Sequence, residues 1–451
     1  MIITNIGVSN FKSIAEISSS LQKYTVLIGP NAAGKTNIVA VFQFLSDVFT
    51  HGLDNAISLQ GGRDFIRNIN IGSEKDLKIG VEIDSSMDDY FSIISKRVSI
   101  NREFFKNSDN VSLDRFMRAL RYAFKINKIK YDFTLYFLKT RKDFKVISEN
   151  FHAEGDIYNI KRPFNYKKIT DEDFVSKGFL NISRKENKVS GDFICEKEGT
   201  DLSFFDTMGD LSNLLKFYRT INRNKLFLQS EHMPGYITNI GNFFKGISIY
   251  NVDPKLSKTS SRFSGKTELE FDGNNLVVVL KNIMEDKELK YKFSLLIKKM
   301  LPFIEDVAIE RFYDRTLIAS IKERYTKKRY IPASFMSDGT INIIAFIIIL
   351  YFENKNIVII EEPERNIHPS LISKVVSMLK EVSTDKQIIV TTHHPEIVRY
   401  SDVNNLCLVK RDNNGYTIIK HVSDLKDLSV FLEEDIGVDD LFIDNILVNI
   451  K

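Results

Sequence analysis

Short, wholly apolar runs that end in polar loops alternate with helical-period segments at both ends of the chain, and this alternation predicts a parallel α/β sheet. Tyr24 to Ile28 reads as a buried strand, after which Ile38, Val39, Phe42 and Leu45 recur at helical spacing. Towards the other end, Ile343, Ile344, Phe346 and Ile347 mark a helix and Ile357 to Ile360 a β-branched strand. An amphipathic helix through Leu371, Ile372, Val375, Val376 and Leu379 and a further strand at Ile388 to Val390 follow. The apolar run Ile341 to Phe352 is interrupted by Asn342 and is too short to span a bilayer, so a buried helix is expected there. Met1 to Asn10, Tyr131 to Phe137 and Phe144 to Ile147 alternate apolar and polar positions, the last two predicting antiparallel strands. Spacing becomes helical again from Leu202 to Phe217 and from Leu276 to Leu301, without a sustained heptad seam, so a compact helical insertion is expected rather than coiled-coil arms. The expected organisation is an N-terminal lobe with an antiparallel β subdomain (1–200), a mainly helical insertion (201–304) and a C-terminal lobe (305–451).

The chemistry sits where the predicted strands end. Gly29-Pro30-Asn31-Ala32-Ala33-Gly34-Lys35-Thr36-Asn37 fits G-x-x-x-x-G-K-[ST] between a strand and a helix, the context that a phosphate-binding loop requires. Its glycines let backbone N–H groups converge on phosphates, Lys35 can reach the β/γ oxygens, the Thr36 hydroxyl can ligate Mg²⁺, and the new helix offers its positive end. ATP and Mg²⁺ are therefore the expected cofactors. The strand Ile357 to Ile360 ends in Glu361 and Glu362, which reads as a Walker B element: Glu361 would hold the Mg²⁺ shell with Thr36, and Glu362 would orient or polarise the attacking water. Ser337, with Asp338 and Gly339 after it, reads as the cap of the helix that precedes this strand. After Ile388 to Val390 come Thr391, Thr392, His393 and His394. An imidazole there can donate to a γ-phosphate or its water, and His393 is the first choice for that role, with His394 as the alternative.

The order Ser-Asp-Gly-Thr, Ile-Glu-Glu-Pro-Glu-x-x-x-His-Pro and Thr-Thr-His-x-Pro-Glu resembles the OLD-type branch of the ABC ATPases, related to RecF and to the heads of structural-maintenance-of-chromosomes (SMC) proteins. The resemblance implies an α/β P-loop NTPase of the ABC/SMC-head type. It further implies that Ser337 and Gly339 act as the signature, donating to the γ-phosphate bound by a second subunit, so that two chains sandwich ATP. The loop Pro363 to Pro369 would be the D-loop, with Glu364, Asn366 and His368 as candidates for coupling the two sites. OLD nucleases carry a C-terminal metal-dependent domain, and the stretch after His393 is too short to hold one. The chain is thus similar to stand-alone ATPase subunits of two-component antiphage systems, such as PtuA and AriA, which implies a homodimer or higher oligomer that controls a separate nuclease or toxin. The alternative is a RecF-like repair clamp. A transporter subunit is disfavoured because the signature and the large insertion do not suit it.

Composition narrows the class without changing this picture. The 451 residues are 43% hydrophobic, enough for a large core. Cys195 and Cys407 lie far apart and form no C-x-x-C pair, and Met1 to Asn10 is not a charged leader with an apolar core, so a cytoplasmic protein without a membrane partner is expected. The net charge of +4 does not by itself argue for nucleic acid. Basic clusters at Lys125, Lys128 and Lys130, at Lys161, Arg162, Lys167 and Lys168, and at Lys322, Arg324, Lys327, Lys328 and Arg329 read either as phosphate contacts or as solvated faces. The acids Glu433, Glu434, Asp435, Asp439 and Asp440 read as solvated positions on a docking tail.

Overall fold

The computed structural model describes residues 1–86, 91–92, 122–138, 143–159, 170–186, 188–196, 224–229, 235–262, 265–312, 315–326, 329–425, 428, 431, 436–444 and 446–449. The expected helix at Leu202 to Phe217, the basic cluster at 161–168 and the acids at 433–435 lie outside the described residues. The chain forms two compact units, each assembled from three stretches: 1–21, 40–245 and 413–418 in one, 22–39, 246–412 and 419–451 in the other. The dividing lines therefore fall elsewhere than at 200 and 304, and residues 246–304 belong with the second unit.

The first unit is built on an eight-stranded antiparallel sheet in the order β2-β1-β4-β6-β7-β8-β9, with β5 paired on β6. Its strands are β1 (Ile2–Phe11), β2 (Ile14–Ser20), β4 (Leu77–Asp84), β5 (Phe91–Ser92), β6 (Tyr122–Phe137), β7 (Phe144–Asn159), β8 (Phe174–Lys185) and β9 (Lys188–Cys195). In β4, Leu77, Ile79, Val81 and Ile83 are buried while the intervening residues are not, the period-2 signature of a sheet with one covered face. Within this unit the part of the helix Lys35–His51 from Ala40 onward buries Val41, Phe42, Phe44, Leu45 and Val48, and Phe49 stacks on Phe244 of the helix Gly235–Lys245 at 4.8 Å.

One polar cluster interrupts this apolar interior. Glu149 of β7 is fully buried and accepts from Tyr131 Oη at 2.8 Å, Phe227 N at 2.6 Å and Leu228 N at 3.4 Å. Arg184 of β8 donates through Nε to Glu186 O at 2.7 Å and through Nη1 to Lys225 O at 2.5 Å. Together they pin residues 225–228 to the sheet. Burial pushes the Glu149 carboxyl up to about 7, against the pull of its hydrogen bonds and of Arg184. Glu149→Ala is expected to cost about 3 kcal/mol, because three donors lose a buried acceptor. A group with a raised folded pKa stabilises fully below its unfolded pKa and less as pH rises through about 7, so the loss in thermal stability should be larger at pH 5 than at pH 8.

The second unit carries most of a six-stranded sheet in the order β10-β15-β16-β3-β17-β18, whose pairs from β10 to β17 are parallel. Its strands are β3 (Tyr24–Ile28), β10 (Ile247–Tyr250), β15 (Ile357–Glu361), β16 (Gln387–Thr392), β17 (Leu406–Arg411) and β18 (Thr417–His421). Every residue of β3 and β16 is buried, and so are the first four of β15, as befits central strands covered on both faces. The parallel registers Glu361↔Thr391, Thr392↔Ile28 and Leu408↔Ile28 bring three strand ends to one edge. The loops after β3, β15 and β16 therefore leave the sheet together, at the carboxyl end where open α/β sheets bind ligands.

Helices and a small sheet complete this unit. All ten residues Ile341 to Leu350 of the helix Asp338–Tyr351 are buried, which accounts for a segment that is apolar all round without being a membrane span. No helix among the described residues is long and apolar enough to cross a membrane. The helical spacing from Leu276 to Leu301 resolves into two helices, Leu276–Glu285 and Lys287–Met300, because Asp286 leaves helical geometry and caps the second by accepting from Glu288 N and Leu289 N. Antiparallel strands β11 (Ser261–Arg262), β12 (Ile304–Arg311), β13 (Thr316–Glu323) and β14 (Tyr330–Pro332) form a separate four-stranded sheet. The strand β10 lies inside the segment expected to be mainly helical. Four residues are too few for periodicity to reveal, and its partner β15 is 110 residues away, Ile247 facing Ile357.

Candidate nucleotide site

The loop after β3 has the backbone that its glycines allow. A Cβ at Gly29 would lie 2.2 Å from the carbonyl oxygen of Val409, so only glycine lets the loop pass β17. Ala32 and Gly34 are left-handed, at φ 62° and 109°, and Arg411 Nε fastens the turn by donating to Ala32 O at 3.0 Å. Pro30, Asn31 and Ala33 complete the loop, and Ala33 N donates to Pro30 O at 3.3 Å. The helix opens at Lys35, with Asn37 N and Ile38 N donating to Gly34 O at 3.0 and 3.1 Å. The Lys35 and Thr36 N–H groups precede any i−4 acceptor, as a helix N-terminus dictates. Lys35 Nζ folds back into the loop, donating to Gly29 O at 2.7 Å and Pro30 O at 3.1 Å. Burial lowers its pKa, while the carboxylates of Glu362, Glu364 and Glu361 raise it in turn.

The Walker B strand delivers its two acids differently. Glu361 continues β15 and accepts a hydrogen bond from Thr36; burial raises its pKa, Glu362 adds to the rise, and Thr36 and Lys35 oppose it. Glu362 turns left-handed, at φ 48°, while its N–H still donates to Thr391 O at 2.9 Å. That conformation is costly for a residue with a Cβ and is found where neighbours over-determine the backbone. It aims Oε1 at His393 Nδ1, 2.8 Å away, with both side chains partly exposed. His394 is spent differently, its Nδ1 accepting from Glu396 N at 3.3 Å to cap the helix Pro395–Tyr400. Lys35, Thr36, Glu361, Glu362 and His393 are thus brought together, while the His394 ring turns to the helix Pro395–Tyr400.

Ser337, Asp338 and Gly339 open a different helix, and Gly339 meets the Pro363–Pro369 loop, the expected D-loop. Ser337 caps the helix Asp338–Tyr351, its Oγ accepting from Thr340 N at 3.1 Å, and Asp338 pairs with Lys258. A Cβ on Gly339 would lie 2.5 Å from Asn366 O, and Asn366 is itself left-handed at φ 60°. Gly339→Ala should therefore displace the D-loop. Overpacking of this kind costs about 2 kcal/mol, so the thermal midpoint should fall, and an unchanged midpoint would mean that the loop has room to spare. Asn342 Nδ2 holds the same loop from the helix, donating to Arg365 O at 2.6 Å. Of the other D-loop candidates, His368 caps the helix Pro369–Val382 and Glu364 is 6% exposed, inside the unit.

Several participants escaped the sequence reading. Phe442 and Ile443 of the helix Val438–Ile443 join Gly29, Pro30, Asn31, His393 and Pro395 around a cavity of about 240 Å³. The apolar Leu441-Phe442-Ile443 run within an acidic tail was the available signal, but nothing in it pointed to the loop after β3. Arg411 and Lys258 have no motif at all. Among the described residues, no three His, Cys, Asp or Glu side chains cluster as a self-sufficient metal site. A Mg²⁺ ion does not need one, since it is usually bound through one or two protein oxygens together with substrate phosphates and water, and Thr36 with Glu361 would fit such a set.

Solved structures similar to this chain include SMC heads. A crystal structure of an Smc head bound to the C-terminal winged-helix domain of ScpA is 14% identical with a TM-score of 0.44, covering 93% of this chain and 98% of that one. An SMC head domain from Thermotoga maritima is 12% identical with a TM-score of 0.39, covering 93% and 99%. An Smc head with an extended coiled coil, bound to the C-terminal domain of ScpA derived from Pyrococcus furiosus, is 15% identical with a TM-score of 0.39, covering 96% and 99%. No curated protein matches. The family described as "AAA domain, putative AbiEii toxin, Type IV TA system" matches residues 24–399, from the strand that leads into the phosphate-binding loop to the helix after His393, and the chain belongs to this family of P-loop ATPases.

Proposed function

We propose that this ATPase works as an ATP-sandwich homodimer, in which the Lys35, Thr36, Glu361, Glu362 and His393 of one protomer are completed by Ser337 and Gly339 of a second copy, and that its ATP state controls a separate effector. The observation that carries the reading is the 2.8 Å contact between Glu362 and His393 beside the loop that holds Lys35. Five residues at the ends of three neighbouring strands converge, while Ser337 caps its own helix and Gly339 packs against Asn366.

The division of labour follows from the groups. Lys35 exchanges two carbonyl acceptors for phosphate oxygens. Thr36 and Glu361 hold Mg²⁺, which when bound neutralises phosphate charge. Glu362 orients the attacking water, and His393 holds Glu362 in place through Nδ1. Its Nε2 then accepts from the water in the neutral ring, or donates to the γ-phosphate in the charged one. Asp338, paired with Lys258, sets the entry of the signature helix.

The defence role rests on the resemblance to stand-alone ATPase subunits such as PtuA and AriA, and the family description, which names a toxin of a type IV toxin–antitoxin system, is in keeping with it. A repair clamp draws less support. In the basic clusters, Lys128 and Lys130 each pair with Glu82 at 3.0 Å and Lys322 with Glu305 at 2.7 Å, so these charges already have partners. The test is native mass spectrometry of tagged Glu362→Gln, purified from its own host with Mg-ATP. A second protein with nuclease or toxin activity in fixed stoichiometry is expected. Recovery of DNA and no second protein would overturn the effector role in favour of the clamp.

A further inference from the structure

We infer that Glu364, the next acid after Glu362, is a positioning residue that sets the switch loop against the Walker B loop and thereby fixes His393 for hydrolysis. This rests on the assignment of His393 above and goes beyond it. From the sequence, Glu364 is one of three D-loop candidates for coupling two sites. The structure instead buries it within its own protomer, 6% exposed.

Its contacts explain the placement. Thr392 Oγ1 donates to Glu364 Oε1 at 2.5 Å, and the same Oγ1 accepts from His394 N at 2.9 Å. His393 lies between these two residues, so a single carboxyl oxygen, acting through one hydroxyl, restrains the chain on both sides of it. On its own loop, Glu364 is tied to Glu362 by local turns: Arg365 N donates to Glu362 O at 3.0 Å and Ile367 N to Glu364 O at 3.0 Å. The carboxyl thus links two loops at the point where Glu362 Oε1 and His393 Nδ1 stand 2.8 Å apart. A carboxyl is an expensive way to receive one hydroxyl proton, since Oε2 is buried without a hydrogen-bond partner. An anion there would also face Glu362 with half its charge unsatisfied, so the group that fits is the neutral acid. Burial, reinforced by Glu362, pushes the carboxyl up to about 7 against the pull of Thr392, its own backbone N–H and His393. What the site uses is the shape and acceptor of the group rather than its charge.

The test is a steady-state ATPase series on the full chain. Glu364→Gln keeps a neutral acceptor of the same length, and its kcat is expected within about threefold of wild type. Glu364→Ala and Thr392→Val are each expected to lower kcat about tenfold or more, with KM for ATP little changed, because the phosphate-binding loop is untouched. Combined with His393→Ala, neither should lower kcat further, since all three act through one ring. Full turnover in Glu364→Ala, while His393→Ala is impaired, would overturn the inference alone. A loss in Glu364→Gln as deep as in Glu364→Ala would overturn it too, because charge would then be the requirement. Multiplicative losses in the double variants would do the same, by showing that Glu364 acts elsewhere. Full turnover in His393→Ala would instead overturn the assignment of His393 and this inference with it. Should Glu364→Ala fail to fold, Thr392→Val and Glu364→Gln still decide between these outcomes.

Discussion

Glu362→Gln is expected to lower ATP turnover by about 100-fold or more, the range that a positioned acid–base group supplies, while ATP stays bound. The amide preserves the length of the side chain and an oxygen for His393 Nδ1, now 2.8 Å from the carboxylate, so the loops should hold their places. What disappears is the negative charge that orients and polarises a water. That same loss takes one anion out of a site where Glu362 raises the pKa of Glu361, easing the approach of phosphate. Binding should therefore be unchanged or tighter. Phosphate release measured beside equilibrium ATP binding separates the two effects, and wild-type turnover in Glu362→Gln would refute the assignment of the catalytic carboxylate.

Lys35→Ala should weaken ATP binding by about 100-fold, in line with the 1.5–3 kcal/mol of a charge-assisted hydrogen bond. In the structure the ammonium rests on Gly29 O and Pro30 O, at 2.7 and 3.1 Å, inside the loop where the phosphates would lie. The carboxylates of Glu362, Glu364 and Glu361 all act on it, raising its pKa against burial. Its removal leaves Glu361 and Glu362 facing an incoming polyanion. Circular dichroism should show the fold retained, since alanine suits the first turn of a helix. Unchanged ATP affinity would mean that the loop binds phosphate through its backbone alone.

How much of this was readable beforehand depends on whether a feature is local. The phosphate-binding loop, the Walker B strand and the Ser337 cap are contiguous, and the chemistry of each demands particular residues in a fixed order, so the sequence displays them directly. The buried helix through Ile341 to Leu350 was legible for the same reason. Features set by distant partners were not. The strand β10 is four residues long and finds its place only through β15. Glu364 looks like a surface acid in a charged loop until Thr392, 28 positions later, is seen to donate to it. Phe442 and Ile443 approach the loop after β3 from the far end of the chain. Gly339 is glycine because of Asn366, not because a helix start requires it.

The central claim, an ATP-sandwich dimer, is tested most directly by the solution mass of Glu362→Gln, measured by light scattering behind size exclusion with and without Mg-ATP. The account predicts a species of twice 52.0 kDa that requires both ATP and Mg²⁺ and is lost in Lys35→Ala. A Glu362→Gln protein that binds ATP and remains at the mass of one chain would contradict it.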